Sequence, residues 1–408
     1  MSTHRIIRLG ARGDGIAEGA IRAPRTLPGE EVTGTVAGQV LGDVRILTPS
    51  PDRVRPPCRH FAACGGCQVQ HASDDFVAAW KRDMVAGALR ARGISAAIAA
   101  PVLTSPPASR RRATLAARRT RGGAMAGFHA RASDQIVEVP DCRLLHPDLM
   151  PAPGVARDLA LAGASRKGAL AVAATLSAGG LDIAVTGGKP LDGPLRLVLA
   201  DLAARHDLAR LAWETETVVT RRPPEQVFAG VRVVPPPGAF LQATAEGEAA
   251  LCAAVARILE GARRIVDLFA GCGTFTFPLA RHAAVHAVEG APGMVAALDR
   301  GARHAAGLRP VTVAARDLFR RRLLEDELSR FDAAVIDPPR PGAEAQIRAL
   351  ARARLPRIAH VSCNPVSFAR DAETLIAAGY ALGPVHVIDQ FRWSSHVELV
   401  AGFTLKTA

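Results

Sequence analysis

The sequence predicts an α/β protein with a doubly wound parallel sheet over residues 236–408, a small β-barrel over 1–55 and a central α+β region over 56–235. Three observations predict it. From residue 263 onward, short apolar runs (HAAVHAVEG, VTVAARDLF, RFDAAVIDPPR, RIAHVSCNP) alternate with helix-like stretches, the rhythm of βα units on a parallel sheet. Residues 4–55 instead place short apolar runs between the turn signals Gly13-Asp14-Gly15 and Leu27-Pro28-Gly29-Glu30, as a barrel of about five strands requires. The proline-rich stretches PDRVRPP (51–57) and RVVPPPGAF (232–240) separate the three parts.

The chain has 408 residues, 49% of them hydrophobic, enough for more than one core. Its net charge is +13, carried almost wholly by arginine, which points to a polyanionic partner, nucleic acid first. The opening MSTHRIIRLG has no signal-peptide apolar core, and no apolar run approaches membrane-spanning length. A cytoplasmic protein with no membrane contact is therefore expected. In that compartment the seven cysteines argue for metal or catalysis rather than disulfides.

In chain order, the barrel segment resembles the TRAM domain, an RNA-binding barrel similar to the OB fold. After it Cys58, Cys64 and Cys67 follow a C-x5-C-x2-C spacing, with Cys142 further on in VPDCRLLHP. Four thiolates suit a structural zinc or a [4Fe-4S] cluster. Three clustered ligands and one distant one favour iron–sulfur, because structural zinc ligands usually come as two short pairs. Residues 74–93 read as an amphipathic helix. SRRRATLAARRTR (109–121) carries six arginines on an alternating pattern, a basic strand pair in which Arg110, Arg111 and Arg112 are candidate phosphate contacts. Phe128, His129 and Arg131 follow, an aromatic beside basic groups that could stack an unpaired base. Residues 150–235 suggest no chemistry.

In ARRIVDLFAGCGTFTFPLARH a strand ends near Asp267 and a turn forms on Gly271 and Gly273. Glu289 ends the second strand, at the offset where a carboxylate meets ribose hydroxyls. Asp317 and Asp337 end the third and fourth. Cys363 lies at the end of the fifth, beside a helix N-terminus whose partial positive charge favours thiolate.

D-x-F-x-G-x-G, then an acidic strand end, an aspartate after the third strand and D-P-P, resembles the class I methyltransferases dependent on S-adenosylmethionine. The resemblance implies a Rossmann-like sheet with Asp267, Gly271, Gly273, Glu289, Asp317 and Asp337 around the cofactor. Gln242, DPPR, SCNP and His396-Val397-Glu398, together with the barrel and the four cysteines, resemble the RNA 5-methyluridine methyltransferases, in particular the iron–sulfur subgroup acting on 23S rRNA. That resemblance implies Cys363 as nucleophile, Glu398 as base, Gln242 beside the methyl donor, and a [4Fe-4S] cluster on Cys58, Cys64, Cys67 and Cys142. The chemistry agrees independently. Carbon 5 of uracil is a poor nucleophile until a thiolate adds at carbon 6, and a base must then remove the carbon-5 proton. Asp337 would hold the base edge, and Arg340 would steady Asp337 or a phosphate. Two departures are Thr244, where the family usually has Asn, and Arg392, where it often has proline; both bear on substrate choice. A tRNA uridine methyltransferase and a non-catalytic ribosome-assembly factor are the alternatives, and a monomer is the expected state.

Overall fold

The computed structural model describes residues 2–406. Strands Ser2–Leu9, Gly15–Ala17, Arg22–Ala23, Glu31–Ala37 and Val40–Thr48 close into the expected five-stranded barrel. Its small core is Ile6, Ala17, Ala23, Val32 and Leu41. Beneath it Glu30 is fully buried and accepts from Leu27 N (2.8 Å), Ser50 N (3.2 Å) and Arg53 Nε (2.5 Å), so the first loop after the barrel is pinned to its base.

The central region is a seven-stranded sheet. Leu115, Val172, Ile183 and Trp213 from its strands pack against helices Ala152–Gly163 and Gly193–Arg205. The basic segment is indeed a hairpin: Arg112–Thr120 pairs antiparallel with Gly123–His129.

The C-terminal sheet has eight strands. Val311–Ala315, Ala284–Glu289, Arg264–Leu268, Ala333–Ile336 and Arg357–Ser362 lie parallel in that order. Glu398–Leu405 then runs antiparallel, followed by Tyr380–Asp389. Strands such as Ala333–Ile336 are buried throughout, because separate apolar clusters cover the sheet's two faces.

One stretch departs from the linear division of the chain. Helix Asp74–Arg90, capped by Ser73, buries Val77 and Trp80 against Leu9 and Leu27 of the barrel region and Val85 and Leu89 against helix Pro365–Ala377, not against the central sheet. Leu103–Thr104 then adds an eighth, parallel strand beside Ile388 and Asp389. The buried Lys81 Nζ donates to Asp389 Oδ1 (2.5 Å) and Phe391 O (3.0 Å). Residues 74–104 thus belong physically to the C-terminal sheet. Sequence order could not show this, because the bonds that hold them there span about three hundred residues.

Candidate active site

Strand order reverses between Arg264–Leu268 and Ala333–Ile336, and the loops beyond their carboxyl ends diverge. This is where open α/β sheets bind ligands. A cavity of about 960 Å3 opens there, lined by Gln242, Gly271, Glu289, Asp317, Asp337, Arg340, Cys363 and Glu398 on one side and by the four clustered cysteines on the other.

On the cofactor side, Glu289 Oε2 accepts from Gly271 N (3.0 Å) and Oε1 from Ala291 N (2.8 Å), which fixes the glycine turn against the second strand. A side chain on Gly271 would meet nothing within 4 Å, so this backbone faces open cleft. Gly273 is different. It has φ +99°, and the Phe277 ring lies 2.3 Å from where its Cβ would be, so it shapes the turn without lining the cleft. Asp267 likewise does not reach the cavity. It is fully buried, accepts from Thr276 Oγ1 (2.6 Å), and burial pushes it up to about 7. Asp317 accepts from Phe319 N (3.0 Å) and turns that exposed ring toward Phe269, 5.4 Å away between centroids.

Register places the reactive pair. Ser362 pairs with Leu399 across the antiparallel strands, so Cys363 and Glu398 extend side by side into the cavity. Burial raises Glu398 to about 8, and the Asp337 charge adds to the rise. Burial also raises Asp337 to about 7, helped by Asp267. Cys363 contradicts the thiolate expectation: burial first, then Glu398 and Asp337, push the thiol up to about 11. The adjoining helix N-terminus is engaged locally, since Asn364 Oδ1 accepts from Val366 N (3.1 Å) and Pro365 occupies its first turn. Two carboxyls in a low-polarity pocket outweigh that dipole. Asn364 Nδ2 donates to Arg340 O (3.0 Å), and the Arg340 side chain is exposed at the cavity rim with no ion pair among the described residues. It therefore does not steady Asp337.

The basic segment divides by strand alternation. Arg110 and Arg112 face the cavity, their guanidinium groups 5.9 Å from the Phe391 ring and 4.4 Å from the Phe240 ring. Arg111 points the other way, pairs with Glu248 and donates to Gln242 O (3.1 Å), so it is a strut and not an RNA contact. Arg131 is also engaged, because its Nη2 donates to both oxygens of Asp14 (2.6 Å) and ties the central region to the barrel. Phe128 lines the cavity, and His129 is exposed beyond it.

Cys58, Cys64, Cys67 and Cys142 share one wall. Gly65 lets their loop lie against the basic hairpin, since its Cβ would sit 2.7 Å from His129 O. Burial pushes Cys67 up to about 12, and the other three thiols add to the rise. Among the described residues no three Cys, His, Asp or Glu side chains converge tightly enough for a single metal ion. Four thiols on one wall form a soft donor set of the kind that holds zinc or an iron–sulfur cluster.

Both departures prove structural. Thr244 Oγ1 caps helix Ala245–Ile258 through Gly247 N (3.0 Å) and bonds Ser105 Oγ (2.7 Å). Arg392 donates to Ser105 O (3.2 Å) and pairs with Asp74, so it fastens residues 74–104. Cys252 Sγ donates to Thr274 O (3.3 Å), a packing role; Cys272 is buried but borders the cleft beside Met294. Neither Gln390 nor the aromatic lining is signalled by any motif: seven of the thirteen phenylalanines face this cavity.

A Rossmann-like sheet with this glycine turn and these strand-end carboxylates defines a methyltransferase that uses S-adenosylmethionine. Comparison with known proteins narrows the class. The tRNA (uracil-5-)-methyltransferase family model matches residues 236–407. An uncharacterized RNA methyltransferase of Brucella suis is 44% identical over 399 residues, covering 97% of this chain and 96% of the relative. The 23S rRNA (uracil(1939)-C(5))-methyltransferase RlmD of Pectobacterium atrosepticum is 33% identical over 382 residues, 88% of this chain and 82% of its own. The chain belongs to the RNA uracil-C5 methyltransferase family. The crystal structure of the Pyrococcus abyssi tRNA (uracil-54, C5)-methyltransferase with S-adenosyl-L-homocysteine shares the fold, with a TM-score of 0.76 at 22% identity over 98% of this chain and 99% of that one.

Proposed function

We propose that this enzyme methylates carbon 5 of uridine in 23S rRNA through a covalent cysteine adduct. The observation that carries the reading is the juxtaposition of Cys363 and Glu398, fixed by strand register at the mouth of one cavity. The Cys363 thiol loses its proton to solvent as Sγ adds to carbon 6, and the 5,6 double bond becomes an enolate. When bound, S-adenosylmethionine supplies an electrophilic methyl group, which carbon 5 takes. Glu398 then accepts the carbon-5 proton, the double bond re-forms, and the carbon 6–sulfur bond breaks. Asp337, raised toward neutrality, can donate to a uracil carbonyl. Gln242, Gly271, Glu289 and Asp317 hold the cofactor, and Phe319 offers its ring to the adenine.

Ribosomal RNA is favoured by the RlmD relative, which shares both the C-terminal domain and most of the chain before it. The barrel acts as a TRAM domain. Arg110, Arg112, Arg340 and Phe128 meet RNA with the target base flipped into the cavity. A [4Fe-4S] cluster on Cys58, Cys64, Cys67 and Cys142 ties residues 58–67 to the segment around Cys142, a structural role. Absorption near 400 nm in anaerobically purified protein, lost in Cys58→Ser, checks the cluster.

The deciding experiment offers RNA fragments containing 5-fluorouridine with S-adenosylmethionine. Fluorine cannot leave as a proton, so a denaturation-resistant adduct forms in wild type and not in Cys363→Ala. Adduct on a tRNA fragment but on no 23S fragment would reassign the substrate. Methyl transfer without adduct would overturn the thiol route.

A further inference from the structure

Gln390 lies in the loop between the last two strands, only 2% exposed, and every polar atom of its side chain is engaged. Its Oε1 accepts from Ala243 N (2.7 Å), an unambiguous donor, which settles the orientation of the amide. Nε2 therefore faces Glu398 Oε2 at 3.0 Å and Gln242 Oε1 at 2.5 Å. Gln242 in turn directs Nε2 toward Asp337 Oδ2 at 3.5 Å. A continuous chain thus runs Glu398–Gln390–Gln242–Asp337 behind the cavity, with neutral amides in its middle. Glu398 Oε1 makes no bond among the described residues and is left for the substrate.

The packing around this amide is specific. A side chain at Gly247 would place its Cβ 2.6 Å from Gln390 Cβ, so the first turn of helix Ala245–Ile258 carries glycine where Gln390 enters.

We propose that Gln390 is the positioning residue of the proton-abstraction step: it holds one oxygen of Glu398 back, aims the other at carbon 5, and links that aim to Gln242 on the methyl-donor side. An amide cannot relay the proton, so its contribution is geometric. The proposal rests on the covalent reading above and governs the last half of it. There the carbon-5 proton passes to Glu398, the double bond re-forms and the carbon 6–sulfur bond breaks.

The test uses the full chain, S-adenosylmethionine and a 23S rRNA fragment, quenched and run on denaturing gels. Wild type is first offered 5-fluorouridine RNA; absence of adduct removes the covalent reading and this proposal with it. With the adduct established, Gln390→Leu should form it within about threefold of the wild-type rate. On ordinary uridine RNA the variant should accumulate methylated adduct, with release slowed about tenfold or more. An equal fall in both steps, or unchanged release, overturns the proposal. Gln390→Glu is isosteric and serves if the leucine variant fails to fold. It keeps an acceptor for Ala243 N but sets a carboxylate against Glu398, and like charge disfavours ionisation. Release by Gln390→Glu should therefore need higher pH than wild type and, with no N–H left to hold Glu398, stay below the wild-type rate even there. An unshifted pH profile overturns the proposal.

Discussion

Glu30 and Glu398 are both buried, at 0% and 3% exposure, yet burial produces opposite outcomes. At Glu30 burial alone would raise the carboxyl. The Arg53 guanidinium and the N–H groups of Leu27 and Ser50 outweigh it, and the group is held below its ordinary value. Glu398 receives one neutral amide, faces a second carboxyl, and rises to about 8. Both are shielded from solvent, but Glu398 lies deeper in the protein and has fewer donors. A carboxylate surrounded by donors is fixed in its ionised form and can only hold structure together. One left short of donors in a cavity is poised to exchange a proton near neutral pH.

Four substitutions or titrations break or sharpen this contrast. Glu398→Gln should slow release of methylated RNA by about 10^3-fold, roughly 4 kcal/mol of transition-state stabilisation, while the 5-fluorouridine adduct still forms. Single-turnover assays measure it. Glu30→Ala should do the reverse: stability falls by about 3 kcal/mol, because Arg53 loses its partner, and turnover per folded molecule stays near wild type. Denaturant melts with activity assays on the folded fraction separate the two.

The pH dependences should oppose each other. Glu30, depressed in the fold, contributes stability that is present above its unfolded value near 4.5 and is lost as pH falls through the lower folded value. Glu398 is raised, so its contribution is complete below about 4.5 and is lost as pH rises toward about 8. Melting curves across that range should show Glu398→Gln gaining on wild type at pH 8, by something on the order of 1 kcal/mol. Adduct resolution should meanwhile quicken as pH rises through about 8, because only the ionised carboxylate accepts the proton. The smallest effect is expected beside the amide chain. Thr244→Ala removes a helix cap and should cost about 1 kcal/mol, with Thr244→Asn restoring most of it. A loss of turnover in Thr244→Asn would show that this position feeds the site after all.

The parts of the site visible in the sequence are those fixed by backbone period. Strand ends carry Glu289, Asp317, Asp337 and Cys363 to one edge because parallel strands in βα units all finish on the same side. Alternation likewise separates Arg110 and Arg112 from Arg111, although a run of three arginines conceals which face is which until the hairpin is placed. What could not be read depends on meetings between distant segments. Gln390 acquires its role only because Gln242 and Ala243 arrive from about 150 residues earlier. Arg131 looks like an RNA contact until Asp14 takes it. The Cys363 thiol departs from the sequence reading because the dipole of its own helix is local, whereas the burial that raises it, with two carboxyls from other strands adding, arises only in the assembled cavity.

The strap formed by residues 74–104 has a consequence for how the molecule is made. Lys81 leaves the ribosome 308 residues before Asp389, its buried counter-ion. At about 5–20 residues per second, some 15–60 seconds separate the two. Throughout that interval Val85, Leu89 and an ammonium group destined for an apolar interior wait without their partners, although Val77 and Trp80 already have Leu9 and Leu27, and the sheet that will take the rest lacks its final two strands. The catalytic half therefore cannot mature as its sequence emerges. It must close backward onto a segment made near the start, and a nascent chain stalled before Asp389 should be bound by chaperones and cut readily within residues 74–104.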